Sequence, residues 1–456
     1  MDPSPLLLVC VFLGSLVALL GLFRPFLGFL VFLIVHFVQP GELIPSLAPL
    51  HIELVYGVLL FAVIWGRKGG AVPLFKIKIV QAGILLLATG VLSIPLAVWI
   101  GGAVGTVLEM FKLMTIVVMI KLMIDTPERL RKLLWCLAVI GTWVAVSSLV
   151  AFSSGQFYEL AYNKGNINRA AGLNSLVAGP NELAGFLLAL IPFGVALFRT
   201  SRSVLAKGFL LLAGILSILA IVLAGSRTAF LGLLVIAFVF LCRAKRKVAT
   251  AVVCVALLTV LWTGMPPEYK ARYLTMQEYA KGGQLDDSNE LRLFVWKSGW
   301  RIFLYDPIFG VGAGQFATGY GLLILKGKHA MWMQPHNLFI QTACELGILG
   351  LLALSNFLVQ IAKGIGAVLH FARETNDDIT YQIGLACAVM FAGAMLISVF
   401  GHTLYRPYWY LLGGLVAATQ GLQGIEKKEQ SVSRVVAPWT LRRNSRQHSV
   451  AARLIR

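Results

Sequence analysis

The stretch from Lys207 to Lys247 reads KGFLLLAGILSILAIVLAGSRTAFLGLLVIAFVFLCRAKRK. Two apolar runs, 208–224 and 227–242, the second opening on Arg227, meet at Gly225-Ser226. Both outer ends are basic, with Lys207 before the first run and Arg243, Lys245, Arg246 and Lys247 after the second. A helix of about 20 apolar residues crosses a bilayer, and Lys and Arg collect at its cytoplasmic edge. The stretch therefore predicts a transmembrane helical hairpin whose turn sits at the outer membrane boundary.

Outward from this hairpin the same texture recurs. Further apolar segments fall near residues 5–22, 25–38, 52–65, 79–98, 104–124, 133–152, 183–198, 248–264, 337–362, 381–400 and 404–422. Three more basic loops, Arg67/Lys68/Lys76/Lys78, Arg129/Arg131/Lys132 and Arg199/Arg202/Lys207, are separated from one another and from Arg243–Lys247 by even numbers of spans. All four then face the cytoplasm, and 39–51, 153–182 and 265–335 face outward. Of 456 residues 58% are hydrophobic and only 13% charged, which excludes an ordinary soluble domain. The net charge of +19 lies almost entirely on the loops assigned to the cytoplasm, so it is a topology signal and not a nucleic-acid footprint. The run from Pro5 to Leu22 lacks a basic leader and is followed by Arg24 and another apolar run, so it is expected to be a retained span. Two spans joined at Arg24 put the N-terminus outside with thirteen crossings; one broken span puts it inside with twelve.

The expected architecture is an all-α, polytopic membrane helix bundle of about twelve spans with one large, partly helical loop on the outer side. Residues 1–264 form an N-terminal bundle of about ten spans, 265–335 the large loop, 336–424 the C-terminal spans, and 425–456 a basic cytoplasmic tail with eight basic and two acidic residues. Within the loop, Leu291, Val295, Trp296, Gly299, Trp300 and Phe303 have helical spacing, predicting a helix over about 289–303 that lies on the outer face. The six cysteines, Cys10, Cys136, Cys242, Cys254, Cys344 and Cys387, show no metal-ligand spacing and read as buried thiols. Gly310-Val311-Gly312-Ala313-Gly314 has no preceding strand and reads as an exterior turn, not a nucleotide fingerprint. Asp286 to Glu290 lacks the alternating ligands of a calcium loop, and no metal is expected. Glu109 and Lys112, spaced i to i+3, are expected to neutralise each other.

Ionisable groups near membrane depth are costly and point to function. Arg169, Asn174, Asn181, Glu182, Arg227, Arg292, Arg301, His336, His402, Tyr405 and Arg406 all fall on the outer side. Guanidinium groups stay charged and grip phosphate oxygens in bidentate fashion, so several around one vestibule suit a pyrophosphate. His336, in Gln334-Pro335-His336-Asn337, is the candidate base, kept neutral by neighbouring arginines. His36, His51, His329, His370 and His448 lack such companions and read as structural or solvated.

The run His336-Asn337, nine residues, Gly347, two residues, Gly350 resembles the signature of the O-antigen ligase and polymerase superfamily. Arg169 to Ala184, Ser226-Arg227-Thr228-Ala229 and Asn289-x2-Arg292-x3-Trp296-x2-Gly299 support it in order, over roughly residues 160–420. The resemblance implies a bacterial inner-membrane glycosyltransferase with a periplasmic active site and no metal or other cofactor. Its donor would be an undecaprenyl-pyrophosphate-linked glycan and its acceptor the lipid A-core of lipopolysaccharide, with inversion at the anomeric carbon. Carried over by residue, His336 is the general base, Arg227 and Arg292 hold the pyrophosphate, and Arg169 is a further contact. Asn181, Asn337 and Arg301 are supporting candidates. Alternatives within the family are a glycan polymerase and a protein O-oligosaccharyltransferase. A transporter is disfavoured because no internal repeat is visible and the ionisable groups avoid the bilayer midplane. The sequence leaves the oligomeric state open.

Overall fold

The computed structural model describes residues 14, 16–70, 72–158, 168–243, 246–280, 287–327 and 333–424. Among these the chain is helical, without strands. The helices of ten or more residues are α1 Pro25–Val38, α2 Ile52–Lys68, α3 Lys78–Ser93, α4 Ile100–Met123, α5 Pro127–Ser153, α6 Pro180–Thr200, α7 Val204–Leu223, α8 Arg227–Cys242, α9 Lys247–Gly264, α10 Pro267–Ala280, α11 Asp287–Tyr305, α12 Leu338–Glu374 and α13 Asp378–Val399. A last one, α14, covers 407–424. Among the described residues, nine candidate spans are long and apolar enough to cross a membrane, and α8 is a shorter apolar helix. The tail 425–456 and the segment 281–286 with Asp286 lie outside the described residues.

Contacts between helix ends gather the connections into two groups. At one end Lys68 binds Asp125 (2.5 Å), Arg199 reaches Gln382 (3.3 Å) and Arg243 donates to the Tyr381 hydroxyl (3.0 Å). At the other, Asn174 donates to the Phe37 carbonyl (2.8 Å), the Ala170 amide to Leu223 O (2.9 Å) and Arg406 to Leu176 O (3.2 Å). The basic loops therefore share one end, and the ionisable candidates share the other. Asn174 and His36 are structural, the latter paired to Glu53 at 2.9 Å.

At Arg24 the chain bends sharply before α1. A Cβ on Gly21 would come within 2.7 Å of the Gly28 Cα, so these two glycines let the chain on either side of the bend pack closely. The run from Pro5 to Leu22, on which the choice between twelve and thirteen crossings turns, lies mostly outside the described residues. Glu109 and Lys112 do pair, at 2.5 Å. The cysteines are less uniform than expected: Cys344 and Cys387 are buried, but Cys242 is exposed at the end of α8. Helix α11 forms with Val295, Ser298, Gly299 and Ile302 inward, while Trp300 is 62% exposed and belongs to the opposite face.

The core is built around α12, which packs along α3, α11 and α13, while α13 packs along α6. Helix α12 is two helices, because Gly347 adopts φ 64 and ψ −162, outside the helical region and accessible to glycine. A break within a bilayer frees backbone groups that lipid cannot satisfy. The Gly-rich loop satisfies them: Val311 and Gly312 amides donate to Cys344 and Glu345 carbonyls (2.8 and 3.1 Å), and the Ile348 amide donates to Pro307 O (2.8 Å). This corrects the exterior reading of residues 310–314: 310–313 are buried between α12, Ala97 and Ser93 and Gly314 is half-buried, with positive φ at Gly310, Gly312 and Gly314.

Candidate active site

His336 stands at the entrance to α12 in the left-handed region, with φ 45. Asn337 caps the helix: its side-chain oxygen accepts from Phe339 and Ile340 amides (2.9 and 3.0 Å), and its amide nitrogen donates to Val399 O (3.0 Å). The same residue thus ends one loop and ties it to the next. Trp296 Nε1 donates to Pro335 O at 2.8 Å, and Gly299 lets α11 lie against Ile340 of α12. Arg292, Trp296 and Gly299, spaced four and three residues apart, share a helix face, which places Arg292 within electrostatic range of His336.

Opposite His336 lies His402, in the turn between α13 and α14, with Nδ1 to Nδ1 3.4 Å and the rings edge to face. His402 Nε2 is 3.6 Å from Glu182 Oε1, which also accepts from Arg406 Nη2 at 3.2 Å. Burial, then the neighbouring His402, then Arg292 push the His336 pKa down to about 3, so its ring is neutral at physiological pH. Burial also pushes His402 down, to about 4, with Glu182 opposing and Arg406 reinforcing the shift. The neutral histidine expected from nearby arginines is present, but desolvation is its first cause.

Ser226 caps α8 by accepting the Ala229 amide at 3.4 Å, which leaves Arg227 as the first residue of that helix. A cation at the positive end of a helix is unfavourable for folding, whereas an anion there meets both the dipole and the guanidinium. Arg169 is buried; its Nε donates to Ala224 O (2.8 Å) and its Nη2 to Asn181 Oδ1 (3.3 Å). It therefore braces the turn that carries Arg227. A cavity of about 30 Å³, room for a water molecule, is lined by Asn181, Glu182, Ser226, Thr228, His402 and Arg406. The structure thus gathers Arg169, Asn181, Arg227, Arg292, His336 and Asn337 around one end of the bundle. Arg301 is exposed on α11 and has no hydrogen bond or ion pair among the described residues.

Sequence reasoning underused three residues. His402 and Glu182 were visible as polar residues beside spans, but nothing local pairs them with His336. Glu345 went unused although it is a carboxylate in an otherwise apolar segment, the pattern that marks function or architecture. It is 1% exposed, and four donors converge on it: the Gly314 and Phe316 amides (3.0 and 3.3 Å), Tyr405 OH (2.6 Å) and Gln341 Nε2 (3.4 Å). Gln341 Oε1 in turn accepts the Leu404 amide at 3.3 Å. Asn337, Gln341 and Glu345, four residues apart on one face, therefore hold the 399–405 turn and with it His402.

Residues 212–355 match the family model described as O-antigen ligase, so this stretch is placed in the O-antigen ligase superfamily. The match contains Arg227, Arg292, His336, Glu345, Gly347 and Gly350, and leaves Arg169, Glu182, His402 and Arg406 outside it. No curated protein matches the chain.

Proposed function

With residues 212–355 placed in the O-antigen ligase superfamily, we propose that this multi-pass membrane protein is an inverting glycosyltransferase of the bacterial inner membrane with its active site facing the periplasm. Its donor is an undecaprenyl-pyrophosphate-linked glycan, O-antigen, and its acceptor is lipid A-core. The observation that carries the reading is a neutral, half-buried His336 beside Arg292, at the end of the bundle that also carries Arg227. The positive-inside bias assigns the opposite, basic end to the cytoplasm.

In this reaction an acceptor hydroxyl attacks the anomeric carbon from the face opposite the pyrophosphate. The anomeric carbon–oxygen bond breaks as the new glycosidic bond forms, the hydroxyl proton passes to His336, and undecaprenyl pyrophosphate leaves with the bonding electrons. Arg227 and Arg292 stabilise the charge that develops on the leaving group. One of the tautomer pairs that the Nδ1–Nδ1 contact allows suits His336 as base. If its Nδ1–H donates to His402 Nδ1, its Nε2 lone pair is free for the proton, and His402 then presents Nε2–H toward Glu182. A pKa near 3 makes a weak base in the resting site; a bound pyrophosphate raises it toward the working range by supplying negative charge.

The deciding experiment incubates the purified chain with undecaprenyl-pyrophosphate glycan and three acceptors: lipid A-core, a second lipid-linked glycan, and a protein substrate. Glycosylated lipid A-core is the expected product. Elongated lipid-linked glycan would make the protein a polymerase, glycosylated protein would make it a protein O-oligosaccharyltransferase, and no product would overturn the transferase reading.

A further inference from the structure

At the end of the bundle opposite His336 there is a second cleft, of about 460 Å³, lined by Lys76, Lys78, Lys121 and Lys363 with Gln360 and Gln420. The four lysines come from the loop before α3, the start of α3, the end of α4 and the cytoplasmic half of α12. None of the described residues lining the cleft is acidic. The carboxylate nearest to Lys121 in the chain, Asp125, is already engaged by Lys68 (2.5 Å) and Arg129 (2.7 Å). Gly421 leaves the space that the Lys121 ammonium occupies, since a Cβ there would collide with it. The walls also hold the apolar Ile77, Ile79 and Ala417, and Phe75 beside Lys76 is 70% exposed, as at a membrane interface.

We propose that this cleft is a binding site for the phosphate headgroup of an anionic phospholipid of the cytoplasmic leaflet. Basic residues merely collecting at a membrane edge would be spread over separate loops. Here four ammonium groups on three segments converge on one concave, partly apolar volume, which repels itself when empty and is neutralised by phosphate. A basic pocket between transmembrane helices on the cytoplasmic side is the geometry that lipid headgroups occupy. Lipid, not free phosphate, fits the apolar wall, because acyl chains can follow it into the bilayer. The site is independent of the transferase reading and shares no residue with it.

The test uses the full chain purified in detergent, titrated with phosphatidylglycerol or cardiolipin and with zwitterionic phosphatidylethanolamine, with bound lipid read by native mass spectrometry. Retention of the anionic lipids, weakened about thirtyfold in the double variant Lys121→Gln/Lys363→Gln, is the expected result, at ~1 kcal/mol per lysine. The double variant Lys121→Arg/Lys363→Arg should keep the affinity. Because Lys121 is partly buried, Lys76→Gln/Lys78→Gln, altering exposed residues, provides a second variant that should also weaken binding if the first fails to fold. Arg202→Gln/Lys207→Gln, on another basic loop, should not. Equal loss in this last variant, or equal retention in all, would overturn the site. Inorganic pyrophosphate occupying the cleft in a form that lipid does not displace would overturn the lipid assignment.

Discussion

The Nδ1 atoms of His336 and His402 lie 3.4 Å apart, a distance at which one ring donates to the other and so dictates its tautomer. If His336 is the donor, its Nε2 is the basic nitrogen. His336→Gln is then expected to lower transfer about 10²- to 10⁴-fold, the usual worth of a positioned base, with donor binding retained. His402→Gln is expected to lower kcat by a smaller factor with KM little changed, since His402 positions the base and does not touch substrate. Steady-state kinetics on both variants checks this; wild-type kcat in His336→Gln would remove His336 from the mechanism.

Arg227 and Arg292 are expected to act on the donor. Replacing either by Ala removes a charged hydrogen-bond donor, worth ~1.5–3 kcal/mol, and should weaken binding of an undecaprenyl-pyrophosphate analogue about 10- to 100-fold. Arg301→Ala should stay within about twofold of wild type, because an exposed charge contributes little. Binding isotherms for the three variants compare these outcomes directly, and equal affinities throughout would refute the charge clamp.

Arg169 is expected to act through the backbone. Its Nε bond to Ala224 O holds the turn before Arg227, so Arg169→Lys, which keeps the charge and loses the planar fork, should still impair donor binding. Full function in Arg169→Lys would instead make it a simple electrostatic contact.

Acid should destabilise the fold through the histidine pair. Both pKa values are depressed in the folded state, to about 3 for His336 and about 4 for His402, below an unfolded value near 6.5. Between pH 6.5 and about 4 the unfolded chain therefore binds protons that the folded chain does not. Stability is fully present above pH 6.5 and falls as pH drops through that window. Thermal unfolding in detergent should show a lower midpoint at pH 5 than at pH 7.5, and His336→Gln/His402→Gln should flatten the dependence.

Gly347→Ala should cost stability as well as activity. Its Cβ would collide with the Ile308 carbonyl, and φ 64 is strained for any L side chain, by about 1–3 kcal/mol before the clash. Glu345→Leu should loosen the 310–316 loop and the 399–405 turn together, leaving the buried Phe316 amide without its acceptor, at about 1–3 kcal/mol, and the Gly314 amide with the Tyr405 hydroxyl alone. Hydrogen exchange at Gly314 and Leu404 would report both; unchanged protection in Glu345→Leu would show that the carboxyl does not organise these loops.

The glycines of His336-Asn337-x9-Gly347-x2-Gly350 show how far sequence reaches. Their spacing is readable as a motif, but its cause is a broken helix: Gly347 turns outside helical space and Gly350 gives way to the Leu346 side chain. The Gly310–Gly314 loop reads as an exterior turn from its own residues and becomes interior only because the freed α12 backbone needs its amides. The motif already ranks Arg292 above Arg301, and helix packing supplies the physical reason, with Arg292 in electrostatic range of His336 and Arg301 exposed.

By itself the sequence determined the membrane class, the helical architecture, the basic end and the set of polar residues at the other end, because hydropathy and charge bias act locally and add along the chain. Tertiary structure alone decided that His402 meets His336, 66 residues away, and that Tyr405 and Gly314, 91 residues apart, meet at Glu345. Those pairings depend on how α12, α13 and α6 pack, and in a bundle of similar apolar helices no local pattern encodes which polar ends converge.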